Sequence, residues 1–480
     1  MARRRRGRPP HERARHAAPA AVDECRCHRA AAASEQSGPV VSAVSPRAHV
    51  IQVAAALAAS MGIGRFVFTP ILPLMHTQAG LSSSLGAALA TANYVGYLVG
   101  ALAGILIPGG VRSATVMRIS LVVLVATLAL MPTTHDGSAW FVLRLVAGIA
   151  SALIFMIAVS TMLSRLRVDA QHLAGWAFGG VGAGIALSGV LVFILRSAGS
   201  WRSAWWAAAA LAVVCAVAAW ALAPEPSPTA TPSGPAAHGR PRTGRWFTAV
   251  FVSYFLEGIG YIIAGTFLVA AIDQTAGGWV GSGAWIVVGL AALPSCAVWA
   301  WLGRRWSRPI LLLVALLIQA VGIALPAVVA GVGPALISAF LFGATFLGVG
   351  SMTLGIGAHL QFPRAVALLT TGYSVGQILG PLVVAPFLHD GYHQALLVGA
   401  AIVLAAALAA AALRFRFPLH VGVMHAPPHS NIQHVETQPD RSVEWARCPV
   451  VPPAQQLRGE GVHPERRSSA GVFHPRSTLK

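Results

Sequence analysis

The chain has 480 residues and a composition that excludes an ordinary soluble domain. Hydrophobic residues make up 56% of it, charged residues make up only 10%, and the mean hydropathy is +0.67. The formal net charge is +19 at pH 7, but almost half of the basic residues lie in two polar terminal segments. The composition therefore predicts a polytopic membrane protein.

Apolar runs recur along the chain, and each is long enough to cross a hydrocarbon layer of about 30 Å as a helix. In lipid every backbone polar group needs an internal partner, so these runs are predicted as helices and not as isolated strands. In chain order the twelve predicted spans are residues 50–75, 85–107, 114–131, 140–164, 170–195, 203–223, 247–271, 281–302, 309–330, 335–360, 365–389 and 392–413.

Polar segments rich in Pro, Ala or Arg divide the chain into predicted domains. Residues 1–46 and 417–480 are predicted to be disordered tails, and the Pro-rich segment 224–245 is predicted to be a cytoplasmic linker. Residues 47–223 and 246–416 are each predicted to form a six-helix bundle. The first apolar run follows a very long basic segment, so we expect it to stay as a membrane helix and not as a cleaved signal peptide.

The placement of arginines predicts the orientation in the membrane. Only Arg196 and Arg202 fall in loops on one side, whereas the loops on the other side are rich in Arg. This positive-inside pattern predicts a protein of the cell membrane with both termini in the cytoplasm. The arginines assigned to the cytoplasmic side are Arg112, Arg165, Arg167, Arg240, Arg242, Arg245, Arg304, Arg305, Arg308 and Arg364.

The N-terminal tail contains a motif that has another interpretation. Arg3 to Arg6, followed by Gly7-Arg8-Pro9-Pro10, is similar to the core of an AT-hook, which inserts Arg side chains into a narrow minor groove. The alternatives are a basic tail on anionic lipid, or a wrongly assigned start codon. We favour these alternatives and expect no nucleic-acid partner.

Other classes of site lack their sequence signals. The five cysteines are scattered, which indicates neither a disulfide framework nor a zinc site. A phosphate-binding Walker loop is also absent, so ATP-driven pumping is not expected. We therefore predict no cofactor and no metal.

The two hydrophobic halves repeat a short motif. Met61-Gly62-Ile63-Gly64-Arg65 is matched 196 residues later by Glu257-Gly258-Ile259-Gly260-Tyr261. The same offset places Gly180 on Gly376 and Gly184 on Gly380, and the fourth and tenth spans match at an offset of 200. These correspondences indicate a duplication, which is typical of membrane transporters.

Six spans, a Pro-rich linker and six more spans resemble the organisation of the major facilitator superfamily. The segments GIGRFVFTPILPLM, GLSSSLGAALATANYVGYLVGALAG and EGIGYIIAGTFLVA are similar to the first, second and seventh spans of its YbfB/YjiJ family. The resemblance covers about residues 48–415. It implies an all-α fold of twelve transmembrane helices in two pseudo-symmetric six-helix bundles, which work by alternating access.

Two motifs of the superfamily can be compared with this sequence. Arg144, with Gly148 four residues later, is similar to a superfamily motif whose arginine is associated with proton-coupled exchange. After the second span, Gly100, Gly104, Gly109, Gly110 and Arg112 match the usual acidic-and-basic motif, but its Asp is missing. That departure puts in doubt any gating scheme that needs a carboxylate in this loop.

Charged residues inside the spans are the main candidates for function, because a lone ion near the midplane is costly and needs a cavity or a partner. Arg65 is predicted in the outer half of the first span, and Glu257 near the midplane of the seventh. One or both of Arg65 and Arg144 could bind an anionic substrate group, with Glu257 binding the coupling proton. The alternatives are a structural ion pair between Arg65 and Glu257, and an Arg144 that extends to the outer interface.

Polar and small residues complete the predicted cavity. Asn93 and Tyr97 share one face of the second span and are candidates for substrate contact or for helix packing. Tyr261, Tyr373 and Gln377 add hydrogen-bonding capacity. Prolines are predicted to interrupt the first span after Thr69 and the eleventh at Pro381 and Pro386. The gating or packing residues are Gly62, Gly64, Pro70, Pro73, Gly180, Gly184, Gly258, Gly260, Gly376, Gly380 and Pro381.

These features together predict a secondary active transporter of a small organic solute. We expect proton coupling, alternating access and a monomer in the lipid bilayer. The alternatives of the same fold are a uniporter and a symporter coupled to another ion. An enzyme would need a catalytic cluster inside the spans, where Glu257 is the only acidic residue predicted, and a receptor would need a folded soluble domain.

Overall fold

The computed structural model describes residues 46–107, 113–165, 171–197, 199–222, 243–277, 279–389, 391–414 and 417. Over these residues it is all-helical, and twelve helices are long and apolar enough to cross a membrane. The predicted class and number of helices are therefore confirmed. The predicted tails, most of the predicted linker and the motif residues Gly109 to Arg112 lie outside the described residues.

We number the membrane-spanning helices in chain order. The first, α1, extends over Arg47–Ala79 and contains a break. The others are α2 (Ser83–Leu106), α3 (Ala114–Leu130), α4 (Gly137–Arg165), α5 (Gln171–Leu195), α6 (Trp201–Ala219), α7 (Gly244–Ala276), α8 (Val280–Leu302), α9 (Arg308–Val328), α10 (Val332–His359), α11 (Ala365–Val384) and α12 (Tyr392–Ala411).

Two helices differ from the predicted bounds in ways that matter for the site. Helix α7 begins at Gly244, inside the predicted linker, and it continues to Ala276, so Asp273 is a second acidic residue within it. Pro381 does not interrupt α11, because the α-helix continues to Val384 and a 3-10 turn, Ala385–His389, follows. A proline inside a helix removes one backbone donor, but the residues on both sides of Pro381 keep the α-helical conformation.

The ends of α1 and α7 repeat the duplication that the sequence indicates. Each helix ends at a glycine with positive φ, Gly80 at 67° and Gly277 at 58°. Glycine has no Cβ and adopts a positive φ at little cost, so the chain can change direction at the end of each of these two helices. Of the twelve spans, α1 and α7 are also the most buried, which places them at the centre of the molecule.

Most of the helix pairs in contact lie within the first six helices or within the last six, but the most extensive contact, between α5 and α8, joins the two sets. The main contacts between the two sets are those of α5 with α8, α2 with α11, and α1 with α7. Glycines allow the closest approach, since a methyl group on Gly182 of α5 would lie 2.4 Å from the backbone nitrogen of Leu293 in α8. The outer surface carries large exposed apolar side chains such as Leu408 and Val217, which suits contact with lipid.

Candidate functional site

The α-helical hydrogen bonding of α1 is broken near its middle. Residues Ala58–Ile63 form a π-helical turn, in which Gly64 N donates to Ala59 O at 2.8 Å. The α-helix resumes only at Phe68. Pro70 has no N–H group, and Thr69 N donates instead to Phe66 O. The break therefore lies before the predicted prolines, and Pro70 and Pro73 are inside the helix that follows it.

Arg144 of α4 bonds to the backbone of this break. Its two terminal nitrogens donate to the carbonyl oxygens of Gly64 and Arg65, each at 3.1 Å. The side chain is 1% exposed, so the alternative of an arginine that extends to the interface is wrong. Arg144 satisfies carbonyl groups that the break leaves without helical partners, and it holds the backbone that carries Arg65.

Arg65 extends from the break into a cluster of aromatic and amide side chains. Its guanidinium lies 4.8 Å from the ring centroid of Tyr94 and 4.7 Å from that of Tyr97. It donates to Gln377 Oε1 of α11, and Gln377 Nε2 donates to the Tyr261 hydroxyl at 2.7 Å. Four predicted residues from α1, α2, α7 and α11 thus meet at one place.

Glu257 has a separate environment in α7. It is 1% exposed, and its Oε1 accepts a hydrogen bond from Gln319 Nε2 of α9 at 3.3 Å. Its Oε2 has no hydrogen-bond partner among the described residues. Arg65 donates to Gln377, so the alternative of a direct Arg65–Glu257 ion pair is not what the structure shows.

Stacked tyrosines occupy the region between these two charged groups. The ring of Tyr261 stacks on that of Tyr373 with centroids 5.4 Å apart, and Tyr373 stacks on Tyr254 at 4.2 Å. Tyr254 is one turn before Glu257 in α7, while Tyr261 is one turn after it. Tyr373, predicted as a cavity residue, is therefore part of an aromatic wall. The wall begins at Tyr261, which is bonded to Gln377, and ends at Tyr254, near Glu257 in the sequence.

The charges within this buried region do not balance. Among the described residues, the fully buried cations are Arg65 and Arg144, and Glu257 is the fully buried carboxylate. Stacking on Tyr94 and Tyr97 stabilises the Arg65 guanidinium, but a neutral ring does not cancel its charge. The buried region therefore carries an excess of positive charge.

Asn93 of α2 makes a helix-packing contact. Its Nδ2 donates to the carbonyl oxygen of Arg144 at 3.0 Å, which ties α2 to α4. A methyl group on Gly148 of α4 would lie 2.1 Å from the Asn93 carbonyl oxygen, so the two backbones are in close contact. The part of α2 that carries Asn93 thus packs against α4.

The predicted glycines also lie at close helix contacts. A methyl group on Gly62 would be 2.5 Å from Gly184 Cα, which joins α1 to α5. Methyl groups on Gly64, Gly180, Gly258, Gly260, Gly376 and Gly380 would likewise come within 2.1–2.7 Å of neighbouring atoms. Each of these positions therefore requires the absence of a side chain for the observed packing.

Contacts between the two halves continue towards the end of the molecule that carries the α1–α2 and α11–α12 turns. Thr69 Oγ1 donates to Gly265 O at 2.5 Å, and the Tyr94 and Thr266 hydroxyls are 2.9 Å apart. At the turns themselves the Ser83 hydroxyl lies 3.3 Å from that of Tyr392. Beside it is a pocket of about 320 Å³, lined by residues that include His76 and Gln274.

Sequence reasoning missed several residues of the site, among them Tyr94 and Gln319. Tyr94 contacts both Arg65 and Thr266, but its position gives no signal apart from the general polarity of α2. Gln319 could have been found, because it is the only polar residue of α9 after Arg308. No group of metal-binding residues occurs in the part of the chain that the structure describes.

Twelve apolar helices with buried charges at their centre define a multi-pass membrane protein of the transporter class. Residues 57–411 match a family model described as "Uncharacterised MFS-type transporter YbfB". The chain belongs to this family, which confirms the resemblance seen in its sequence. Membership implies a membrane transporter with a small-molecule substrate in a lipid environment.

Solved structures of the nucleoside transporter NupG share the fold. A point mutant of NupG gives a TM-score of 0.61 at 15% sequence identity, covering 76% of this chain and 99% of that chain. A second NupG structure gives a TM-score of 0.59 at 16% identity with the same coverage. At these identities the likeness shows the fold alone. Among curated proteins no relative matches this chain.

Proposed function

We propose that this protein is a proton-coupled secondary transporter of a small organic anion. The observation that carries the proposal is the charge imbalance of the site, where two buried guanidinium groups and one buried carboxylate are the charged partners available among the described residues. Arg65 is the substrate-binding cation, since Gln377 and the tyrosine rings leave its Nε without a hydrogen-bond partner. Glu257 is the proton-binding group.

Alternating access follows from the way in which the two halves meet. The site contains residues of α1 and α2 on one side and of α7 and α11 on the other, so relative rocking of residues 47–223 and 246–416 would open and close it. The protein acts as a monomer in the cell membrane with both termini in the cytoplasm, and it catalyses no covalent chemistry. The name of NupG raises nucleosides as one solute class to test, although the positive site favours anions.

A solute screen on purified full-length protein is the first experiment. We expect organic anions to raise the thermal unfolding temperature, because a ligand that binds only the folded state stabilises it. In Arg65→Met the anion should bind more weakly by about 1.5–3 kcal/mol, or roughly 10- to 150-fold in Kd. Arg202→Met, at an exposed arginine, is the matched control. Equal affinity in Arg65→Met and in the unchanged protein would reject the anion site.

Proton coupling is tested in proteoliposomes with a solute from that screen. Glu257→Gln should abolish uptake driven by a pH gradient but retain exchange of labelled for unlabelled solute, because exchange needs no net proton movement. Asp273→Asn is the matched control, since it makes the same change near the other end of α7. Gradient-driven uptake that survives in Glu257→Gln would exclude this carboxylate. If uptake by the unchanged protein does not depend on the pH gradient, the protein is instead a uniporter.

A further inference from the structure

The Glu257–Gln319 contact is a polar pair deep inside an apolar region. Gln319 is 0% exposed and lies in the middle of α9, between Ile318 and Ala320. Burying an amide without satisfying its hydrogen bonds costs free energy, and a carboxylate costs more. The pair therefore needs an explanation in terms of donors and acceptors.

Each group in this pair has one acceptor atom without a donor. Gln319 Nε2 donates to Glu257 Oε1, but Gln319 Oε1 and Glu257 Oε2 are both buried and have no partner among the described residues. An ionised carboxylate can only accept hydrogen bonds, whereas a protonated carboxyl group also donates one. A single proton on Glu257 Oε2 would supply the donor that the pair lacks, and it would satisfy Gln319 Oε1 as well.

In the part of the chain that the structure describes, the groups around Glu257 are three phenols and one amide, and none of them is a cation. The titratable side chains that interact electrostatically with Glu257 among the described residues are the phenols of Tyr254 and Tyr261 in α7 and Tyr373 in α11. From the other helices that pack on α7, which are α1, α8, α9, α10 and α12, the group that acts on Glu257 among the described residues is the uncharged amide of Gln319. Glu257 thus has no cationic partner here, and Gln319 is its direct hydrogen-bond partner.

We propose that Gln319 is a positioning residue that distinguishes the protonated from the ionised form of Glu257. With the protonated carboxyl group it forms a reciprocal pair of hydrogen bonds, amide N–H to Oε1 and Oε2–H to the amide oxygen. When the proton leaves, one of these bonds is lost and α9 is held to α7 less firmly. This inference rests on the proposed role of Glu257 as the proton-binding group.

Infrared spectroscopy of the purified full-length protein tests the pair without a substrate. Over a titration from acidic to alkaline pH, the unchanged protein should show a carboxylic-acid carbonyl band that Glu257→Gln abolishes. In Gln319→Met, a residue of similar length, this band should remain but move to higher wavenumber, because both hydrogen bonds are gone. Gln319→Asn withdraws the amide by one methylene and should move the band in the same direction, which keeps the test open if the Met variant does not fold.

Ser338→Ala is the matched control for the packing of α9. Ser338 Oγ donates to Gly322 O of α9 three residues beyond Gln319, and it does not bond to Glu257. Its removal should leave the band in place. A band at the same position in the unchanged protein and in both Gln319 variants would overturn the reciprocal pair. If the unchanged protein has no Glu257-dependent band at any pH, Glu257 takes no proton and the proposed function fails instead.

Discussion

Replacing Gly180 by alanine tests whether the close packing of α5 against α1 requires a glycine. A methyl group at this position of α5 would lie 2.1 Å from the carbonyl oxygen of Ala54 in α1 and 2.6 Å from its Cα. Ordinary contacts begin at about 3.4 Å, so the two backbones would have to separate by about 1.3 Å. A backbone carbonyl cannot rotate away as a flexible side chain can, so the helices themselves must move.

The net effect on stability can be estimated from two opposing contributions. Glycine to alanine in an open helix stabilises by about 1 kcal/mol, because less backbone entropy is lost on folding. Overpacking a tight contact costs about 1–3 kcal/mol, and here the obstructing atoms are backbone, which favours the upper end. We therefore expect Gly180→Ala to destabilise the protein by about 1–2 kcal/mol.

Thermal unfolding of the purified protein, followed by tryptophan fluorescence, measures this loss. Gly333→Ala in α10 is the matched control, because a methyl group there meets nothing within 4 Å and should leave the Tm unchanged or slightly raised. Gly376→Ala, at the equivalent position of the second half, places a methyl group 2.5 Å from the Phe255 carbonyl oxygen and should lower the Tm like Gly180→Ala. A Tm for Gly180→Ala equal to that of Gly333→Ala would refute the packing argument.

Two further substitutions test the break in α1 and its contact with α7. Arg144→Met leaves the carbonyl oxygens of Gly64 and Arg65 without donors, which costs about 1–3 kcal/mol for each oxygen. Its Tm should therefore fall by more than that of Gly180→Ala. A Tm equal to that of the unchanged protein would show that Arg144 does not stabilise the break in α1. Thr69→Val removes the bond to Gly265 and should cost about 1 kcal/mol. An equal loss in an exposed control, Thr77→Val, would show that the contact between the halves contributes nothing.

The length and hydropathy of the apolar runs were sufficient to predict the number of membrane-spanning helices, and the arrangement in two bundles came from the family resemblance. Each of the twelve runs is a helix, because a segment in lipid has to satisfy its backbone within itself. Depth along a run was less informative. Counting residues placed Arg144 near an interface, yet a contact with α1 buries it, and lateral contacts of this kind leave no periodic signal. The π-helical turn was also not predictable, since it depends on the same contacts.

Equivalent residues of the duplication meet at the centre of the molecule. Thr69 and Gly265 are 196 residues apart, the offset of the repeated motif, and they form a hydrogen bond with each other. A residue can contact its own counterpart only near the axis that relates the two halves. Helices α1 and α7 therefore meet at that axis, and side chains near it can contact residues of both halves. Arg65 and its counterpart Tyr261 are one turn away, joined through Gln377.

The polar residues of the site are found where the two copies differ. At the same offset of 196, Gln377 corresponds to Val181, and Gln319 to Val123. Glu257 corresponds to Met61 in the same way, so each of these three polar groups of the second half has an apolar counterpart in the first. Four pairs of glycines at close helix contacts, by contrast, are the same in both copies: Gly62 and Gly258, Gly64 and Gly260, Gly180 and Gly376, and Gly184 and Gly380. Duplication thus accounts for a symmetric scaffold, and divergence at single positions accounts for an asymmetric site with its cation in one half and its acid in the other.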